Sequence, residues 1–314
     1  MNLRALQMFV ATADSGGLGR ASTRLNLSQP AASRQIHSLE TELGVSLFQR
    51  TGRTLQLTAE GEGLLRQARR LLGDADELKE QARQLKGGQT GTLRISATPQ
   101  MIVSLLAPFL PRYRKRHPGI EVHLMEGSAM RQRTRLERGE IHLAIMPAGD
   151  GPFARRLLAP VHALAVHLKA HRLRRLPVID VTDLLDEPLL LMQREFGSRA
   201  WFDAACAAAQ VRPRVMLEST TATTLIELAA VGYGVAIVPS TSMIRNPALR
   251  AAPLTYRGSA IGQWSTVARD PRRATPRYVE QFVEELEQHA KRHFPGREYL
   301  RAAPPLPRPV LPLP

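Results

Sequence analysis

Apolar positions along the chain fall first into a helical rhythm, then into heptads, then into alternating strands and helices. Over residues 2–14, Leu3, Leu6, Val10 and Ala13 share one face, which predicts an amphipathic helix. Gly19-Arg20-Ala21-Ser22-Thr23-Arg24-Leu25 predicts a shorter helix with Ala21 and Leu25 on one side, and Asn26-Leu27 breaks it. A third helix starts at Ser28, whose hydroxyl suits an orphan amide of the first turn. Pro30 falls where a missing amide costs little. Ala32, Ile36, Leu39 and Leu43 then form an apolar face, and Gly44 stops the helix. The opposite face carries Gln29, Ser33, Arg34 and His37, none of them acidic. Residues 47–58 hold two short apolar segments around a Thr51-Gly52-Arg53 tip and predict a hairpin.

Residues 59–86 contain no proline. Leu64, Ala68, Leu71, Ala75, Leu78, Ala82 and Leu85 recur there at alternating steps of four and three. That is a heptad seam of Leu and Ala, and it points to a partner helix. Gly87-Gly88-Gln89-Thr90-Gly91 predicts a hinge. Beyond it, Thr92–Ala97, Glu121–Glu126 and Ile141–Met146 read as strands. Helices over Met101–Arg116 and Met130–Arg138 lie between them. This βαβαβ order implies a parallel sheet covered on both faces. Val161–Leu168 predicts a strand that crosses into a second lobe. That lobe has strands Leu189–Met192, Arg214–Glu218 and Val235–Val238 and helices Arg199–Gln210 and Ala222–Val231. Thr266–Ala268 returns to the first lobe, and Pro276–Phe294 is a closing helix.

The net charge of +15 invites a nucleic-acid reading, but its distribution weakens the argument. Residues 1–58 hold six arginines against Asp14, Glu40 and Glu42, residues 59–86 are balanced, and +12 falls beyond residue 86. Lysine occurs only at positions 79, 86, 115, 169 and 291, so the excess reads as a compositional preference for arginine. The single Cys206 forbids an internal disulfide and, among alanines, reads as a packed helix residue. No apolar run is long enough to span a membrane, and the N-terminus does not read as a secretory signal. The expected location is the cytoplasm. After Gly296 the prolines at 304, 305, 307, 309, 312 and 314 predict a disordered tail.

A short helix, a tight turn and a second helix is the helix-turn-helix plan, whose second helix enters the DNA major groove. Here the chain resembles the LysR-type transcriptional regulators. The resemblance rests on Leu3-x-x-Leu6-x-x-Phe9, Ala21-x-x-Arg24-Leu25 and Ser28-Gln29-Pro30-Ala31-x-Ser33-x-Gln35-Ile36. It continues through Leu39-Glu40-x-Glu42-Leu43-Gly44, Leu47-Phe48-x-Arg50 and Leu57-Thr58-x-x-Gly61. One departure is Leu18-Gly19, where the family usually has an aromatic residue and then a capping Ser or Thr. A looser resemblance runs from Gly91 to Phe294, through Leu136-x-x-Gly139-Glu140-Ile141 and Ala230-x-Gly232-x-Gly234-Val235. It implies an effector domain similar to periplasmic solute-binding proteins.

The expected architecture is therefore a mainly α winged helix-turn-helix at 1–58, a linker helix at 59–86 and a hinge at 87–91. An α/β two-lobed, periplasmic-binding-protein-like effector domain follows at 92–296. Its lobe I covers 92–161 and 266–296 and its lobe II 162–265, with a Pro-rich tail at 297–314. Gln29, Pro30, Ser33, Arg34 and His37 are the expected DNA contacts on the recognition helix, with Arg50 and Arg53 on the wing. Leu64, Leu71, Leu78 and Leu85 are the expected dimerisation positions. Ligands of parallel α/β lobes sit beyond the carboxyl ends of strands, at helix N-termini. That places Thr98, Pro99, Gln100, Ser128, Phe196 and Thr220 at an effector site, with Arg194 or Arg199 as added charge. Hydroxyls, free amides and the positive charge suit a small anion, with aromatic or aliphatic carboxylates first. The resemblance further implies double-stranded DNA, a homodimer or homotetramer and RNA polymerase as partners.

The chain carries no phosphate loop, no metal-spaced Cys or His pair and no Gly-x-Ser-x-Gly elbow, so no catalytic or metal site is expected. The rival reading is a solute-binding or metabolite-sensing protein that does not regulate DNA directly. It explains residues 91–294 and leaves the helix-turn-helix without a purpose.

Overall fold

The structure is a computed structural model and describes residues 2–51, 54–85, 90–149 and 151–309. The chain forms two compact units, one over roughly the first 87 residues and one holding nearly all the rest.

The first unit contains α1 (Leu3–Ser15), α2 (Leu18–Arg24), α3 (Gln29–Leu43), the hairpin β1 (Phe48–Thr51) and β2 (Thr54–Leu57), and α4 (Ala59–Leu85). Local signals set its boundaries. Ser28 Oγ accepts from the Ala31 amide at 3.4 Å, and Gly44 ends α3 with a φ of +70°. Asn26 makes the turn at a φ of +52°. The start of α2 shows what the Leu18-Gly19 departure means: Gly17 stands at the N-cap and offers no side-chain bond. Met8, Phe9, Ala21, Ala32, Ile36, Leu39 and Leu47 fill the core, with Phe9 edge-on to Phe48 at 5.6 Å.

Helix α4 runs unbroken for 27 residues, but its seam divides in two. Ala68 is buried in the unit's own core, together with Leu65, and Leu64 packs partly against it. Leu71 and Leu78 remain 45% and 67% exposed. Leu64 therefore contributes part of its surface to this fold, and Leu71 and Leu78 are the seam leucines left exposed. Heptad spacing alone could not tell which stretch of the helix lies over its own domain. The side chain of Leu85 lies outside the described residues, as do residues 87–89 of the expected hinge.

The second unit contains β3 (Gly91–Ala97), α5 (Pro99–Met101), a π-turn (Ile102–Leu106), α6 (Ala107–Arg116), β4 (Ile120–Glu126), α7 (Ala129–Glu137) and β5 (Leu143–Pro147). The chain continues through β6 (Ala154–Leu168), β7 (Ile179–Asp180), β8 (Pro188–Met192), α8 (Gly197–Ala208), β9 (Arg214–Ser219) and α9 (Ala222–Ala230). It closes with β10 (Val235–Pro239), β11 (Leu249–Tyr256), β12 (Ser259–Ala260), β13 (Gly262–Arg269) and α10 (Arg277–His293). The main path of strands is β4-β3-β5-β13-β6-β10-β8-β9. β3 is parallel to β4 and β5, and β8 is parallel to β9 and β10.

β6 joins these two parallel groups. Its first part pairs antiparallel with β13, ending at the pair Gly262↔His162. From Ala163 onward it pairs with β10, and from Leu164 with β11 as well. The predicted Val161–Leu168 strand is thus the second half of a 15-residue strand. Ser265 pairs with Ala159 and Thr266 with Leu157, so Leu158 is an extra residue and the ladder bulges there.

The predicted disorder of the Pro-rich tail is corrected over its described part. Arg297–Arg301 form a 3-10 turn, and Leu306 is buried. Proline excludes a helix, yet a chain of fixed φ can still pack without losing much backbone freedom. Residues 310–314 lie outside the described residues.

Candidate functional site

Two surfaces stand out. On the first unit, Gln29, Pro30, Ser33, Arg34 and His37 of α3 are all exposed, and so is Arg50 on the hairpin. Gln29, Ser33, His37 and Arg50 line one groove with Gly16, Gly17, Arg20 and Glu40. Pro30 and Arg34 lie on α3 outside that groove wall. Among the described residues, Arg34 and Arg50 have no hydrogen-bond or ion-pair partner. Arg20 was missed by sequence reasoning; its signal was a basic side chain early in the first helix of the motif. Arg53 lies outside the described residues.

Glu40 is an acid in this groove, and its carboxylate is already engaged. Its Oε1 accepts from the amides of Leu47 at 2.8 Å and Phe48 at 3.2 Å, which ties the recognition helix to the start of the hairpin. Thr58 anchors the other side. Its Oγ1 donates to Ser46 O at 2.6 Å and accepts from the Gly61 amide at 2.9 Å. A Cβ at residue 61 would stand 2.2 Å from Leu47 O, so this close approach needs glycine.

The second surface is a cleft in the second unit. One wall comes from Thr98, Gln100 and Met101 after β3, Ile145–Pro147 at the end of β5, and Val161 of β6. The facing wall is Met192 at the end of β8, Phe196 in the connection and Ser198 and Trp201 on α8, with Pro239 at the end of β10 and Thr241 after it. Gln263, Trp264 and Ser265 of β13 complete it. Among the described residues, no charged side chain lines it. Gln263 is engaged at both ends: its Oε1 accepts from Trp201 Nε1 at 3.0 Å and its amide donates to Ala148 O. In contrast, Gln100 Nε2 and Trp264 Nε1 are buried donors without a partner. Thr98 stands at the N-cap of α5 without making a side-chain cap bond.

The structure thus brings Thr98, Gln100 and Phe196 together in the cleft. It separates the other three expected contacts. Pro99 lines an adjoining depression with Val103, Thr221 and Met243. Ser128 is buried, and its Oγ accepts from the Arg131 amide at 3.5 Å as a helix cap. Thr220 is exposed and lines neither hollow. Nor does either arginine charge the cleft. Arg199 is buried and donates to Asp203 at 2.7 Å, Glu218 at 2.6 Å and Met192 O at 3.0 Å, while Arg194 is absent from the lining. The apolar walls, above all both tryptophans, were missed, because nothing local marks residues that meet only through sheet order. Cys206 is buried, and burial pushes its thiol up to about 11, as suits a packed side chain.

Residues 3–62 match the family described as bacterial regulatory helix-turn-helix protein, lysR family, and residues 86–291 match the LysR substrate binding domain. The chain is 33% identical to the HTH-type transcriptional regulator AlsR of Bacillus subtilis, covering 77% of this chain and 82% of that one. It shares its fold with a full-length OxyR variant from Pseudomonas aeruginosa, with a TM-score of 0.69, 24% identity and coverage of 94% and 96%. CbnR, a LysR family transcriptional regulator, gives a TM-score of 0.66 at 25% identity, covering 92% of this chain and 99% of that one. CbnR has also been solved with its target DNA, at a TM-score of 0.65 and 24% identity, covering 92% and 100%.

Proposed function

The chain belongs to the LysR family of transcriptional regulators, DNA-binding proteins controlled by a small-molecule effector, and from that premise we propose which of its residues do each task. Ser33 and Arg34 read base edges or flanking phosphates in the major groove, with Gln29 near the helix start and His37 further along. Arg50 and Arg53 contact the backbone from the wing, and Arg20 joins them from the groove wall. Leu71 and Leu78, exposed on α4, meet a second copy, so that two recognition helices address two half-sites. A regulator of this kind works in the cytoplasm, where its DNA is.

The effector is an apolar, ring-bearing molecule with hydrogen-bond acceptors at one end. The observation that carries this reading is an uncharged cleft with two tryptophans and two unpartnered donors, Gln100 Nε2 and Trp264 Nε1. The positive net charge is not concentrated in the cleft, so preference for an acceptor rests on these donors and the Thr98 hydroxyl. An aromatic carboxylate fits, provided that both oxygens are hydrogen-bonded, since a bare buried charge is costly. Binding alters DNA occupancy by favouring one arrangement of lobes or subunits.

Two measurements test this division. Fluorescence anisotropy on an operator duplex should show Arg34→Ala losing about 1–3 kcal/mol of specific binding. Arg50→Ala should weaken all sequences and flatten the salt dependence. Unchanged affinity in both variants would reject the DNA assignment. A thermal-shift screen should show stabilisation by aromatic carboxylates and none by amines. Stabilisation by amines alone, or by a carboxylate that ignores Thr98→Val, would reject the cleft assignment.

A further inference from the structure

The described part of the C-terminal tail does not wander over the surface at random. Gly296, at a φ of +82°, lies so close to Ser240 that a Cβ there would be 2.3 Å from its carbonyl oxygen. Three further contacts follow. Pro304 O is 3.2 Å from His162 Nε2. Leu306 is buried, and its Cδ1 lies 3.0 Å from where a Cβ on Gly262 would stand. The Arg308 guanidinium stands 5.8 Å over the ring of Trp264. His162 and Gly262 are register partners and form the last pair of the β6–β13 ladder. Immediately beyond them β6 leaves β13 for β10. Ser240 belongs to the same junction, since its hydroxyl accepts from the His162 amide at 3.1 Å and its own amide donates to His162 O at 2.8 Å.

The tail therefore touches both strands where they pass from one parallel group to the other. It also touches a tryptophan that lines the cleft. Its composition suits this task. Prolines at 304, 305, 307 and 309 fix φ in advance, so docking orders little that was free. A proline has no amide to satisfy, and here its carbonyl supplies the polar contact. Burial lowers the pKa of His162, so the ring is neutral near pH 7 and can donate from Nε2.

We propose that residues 302–309 form an intramolecular strap that pins the crossover of β6 and β13 and steadies Trp264 against the cleft. Strap docking and cleft geometry are then coupled: a ligand that moves Trp264 or flexes the crossover also loosens the strap, and a loosened strap frees the crossover. Its test needs no effector, so it stands apart from the identity of the ligand.

Full-length chains carrying Leu306→Asp or Arg308→Ala should be compared with the parent, each also made with Trp201→Phe so that Trp264 alone fluoresces. Acrylamide quenching of Trp264 should rise about two-fold in both variants as its cover opens locally. Amide hydrogen exchange in peptides covering residues 161–164 and 261–264 should quicken several-fold in Leu306→Asp, with peptides of α3 unchanged. Because Arg308 is exposed, its truncation tests the cover even if Leu306→Asp folds poorly. Support requires quenching to rise in Arg308→Ala and, wherever Leu306→Asp folds, both readouts to rise in it; any other pattern overturns the strap.

Discussion

The recognition face and the cleft use polar side chains in opposite ways. On α3 the functional groups are exposed, and Arg34 and Arg50 are left without partners among the described residues. In and near the cleft several polar groups are committed to the protein itself: Gln263 to Trp201 and Ala148, Ser240 to His162, Arg199 to two carboxylates. The face proposed above for bases and phosphates holds its charge toward solvent. The cleft, proposed above for a ring, has no charged side chain in its lining among the described residues and keeps two buried donors unpaired. The same division appears in what holds each unit together. Beyond their apolar cores, the first leans on near contacts of backbone and caps and the second on long-range sheet pairing.

The largest effect should break only the first unit. Gly61→Ala forces a Cβ onto Leu47 O, and backbone must move. Overpacking of this kind costs about 1–3 kcal/mol or more, and the hairpin should lose its seat. Calorimetry should show one transition lowered and the transition of the second unit unmoved. If both shift together, the two units do not melt independently.

Acid should do the reverse. His142 accepts from the Arg94 amide at 3.0 Å, and burial, then the charges of Arg94 and Arg273, lowers its pKa from 6.5 to about 4. Between those values the unfolded chain takes up a proton that the folded chain refuses. The stabilisation is therefore complete above about pH 6.5 and is lost as pH falls toward 4. The difference corresponds to at most about 3 kcal/mol. His162, His167 and His289 are also lowered by burial and act in the same direction. The first unit contains only His37, which is exposed. Melting at pH 5 should lower the second unit selectively, and an equal loss in both would erase the contrast.

The smallest effect should sharpen the comparison. Gly17→Ser supplies the cap that α2 lacks, into space with no atom within 4 Å. A gain of a few tenths of a kcal/mol in the first unit is expected, since serine exceeds glycine at this position only slightly. Denaturant midpoints with unchanged slope would register it.

These contrasts explain what the sequence could reveal. Ser28, Gly44 and the spacing of Ala32, Ile36 and Leu39 act over one or two turns, so α3 was legible to within a residue. β11 went unread because Ala251-Ala252-Pro253 carries no alternation, and the first half of β6 because Pro160 interrupts it. Both strands exist through partners far along the chain. Ser128 and Thr220 were placed in the pocket by the rule that ligands sit beyond strand ends. The Ser128 hydroxyl is spent on its own helix, and the pocket is built instead from Met192, Trp201 and Trp264. A proline-rich composition predicted a loose end because it rules out helices; it does not rule out packing.

Glu40 has a consequence for the nucleic acid itself. Because its carboxylate grips the amides of Leu47 and Phe48, the recognition helix and the hairpin form a caliper of fixed opening. A rigid caliper cannot stretch to suit a duplex, so if both jaws engage DNA as proposed, any mismatch with the opening would fall on the duplex as deformation. Operators would then be sorted partly by the cost of that deformation, at base pairs that no side chain touches.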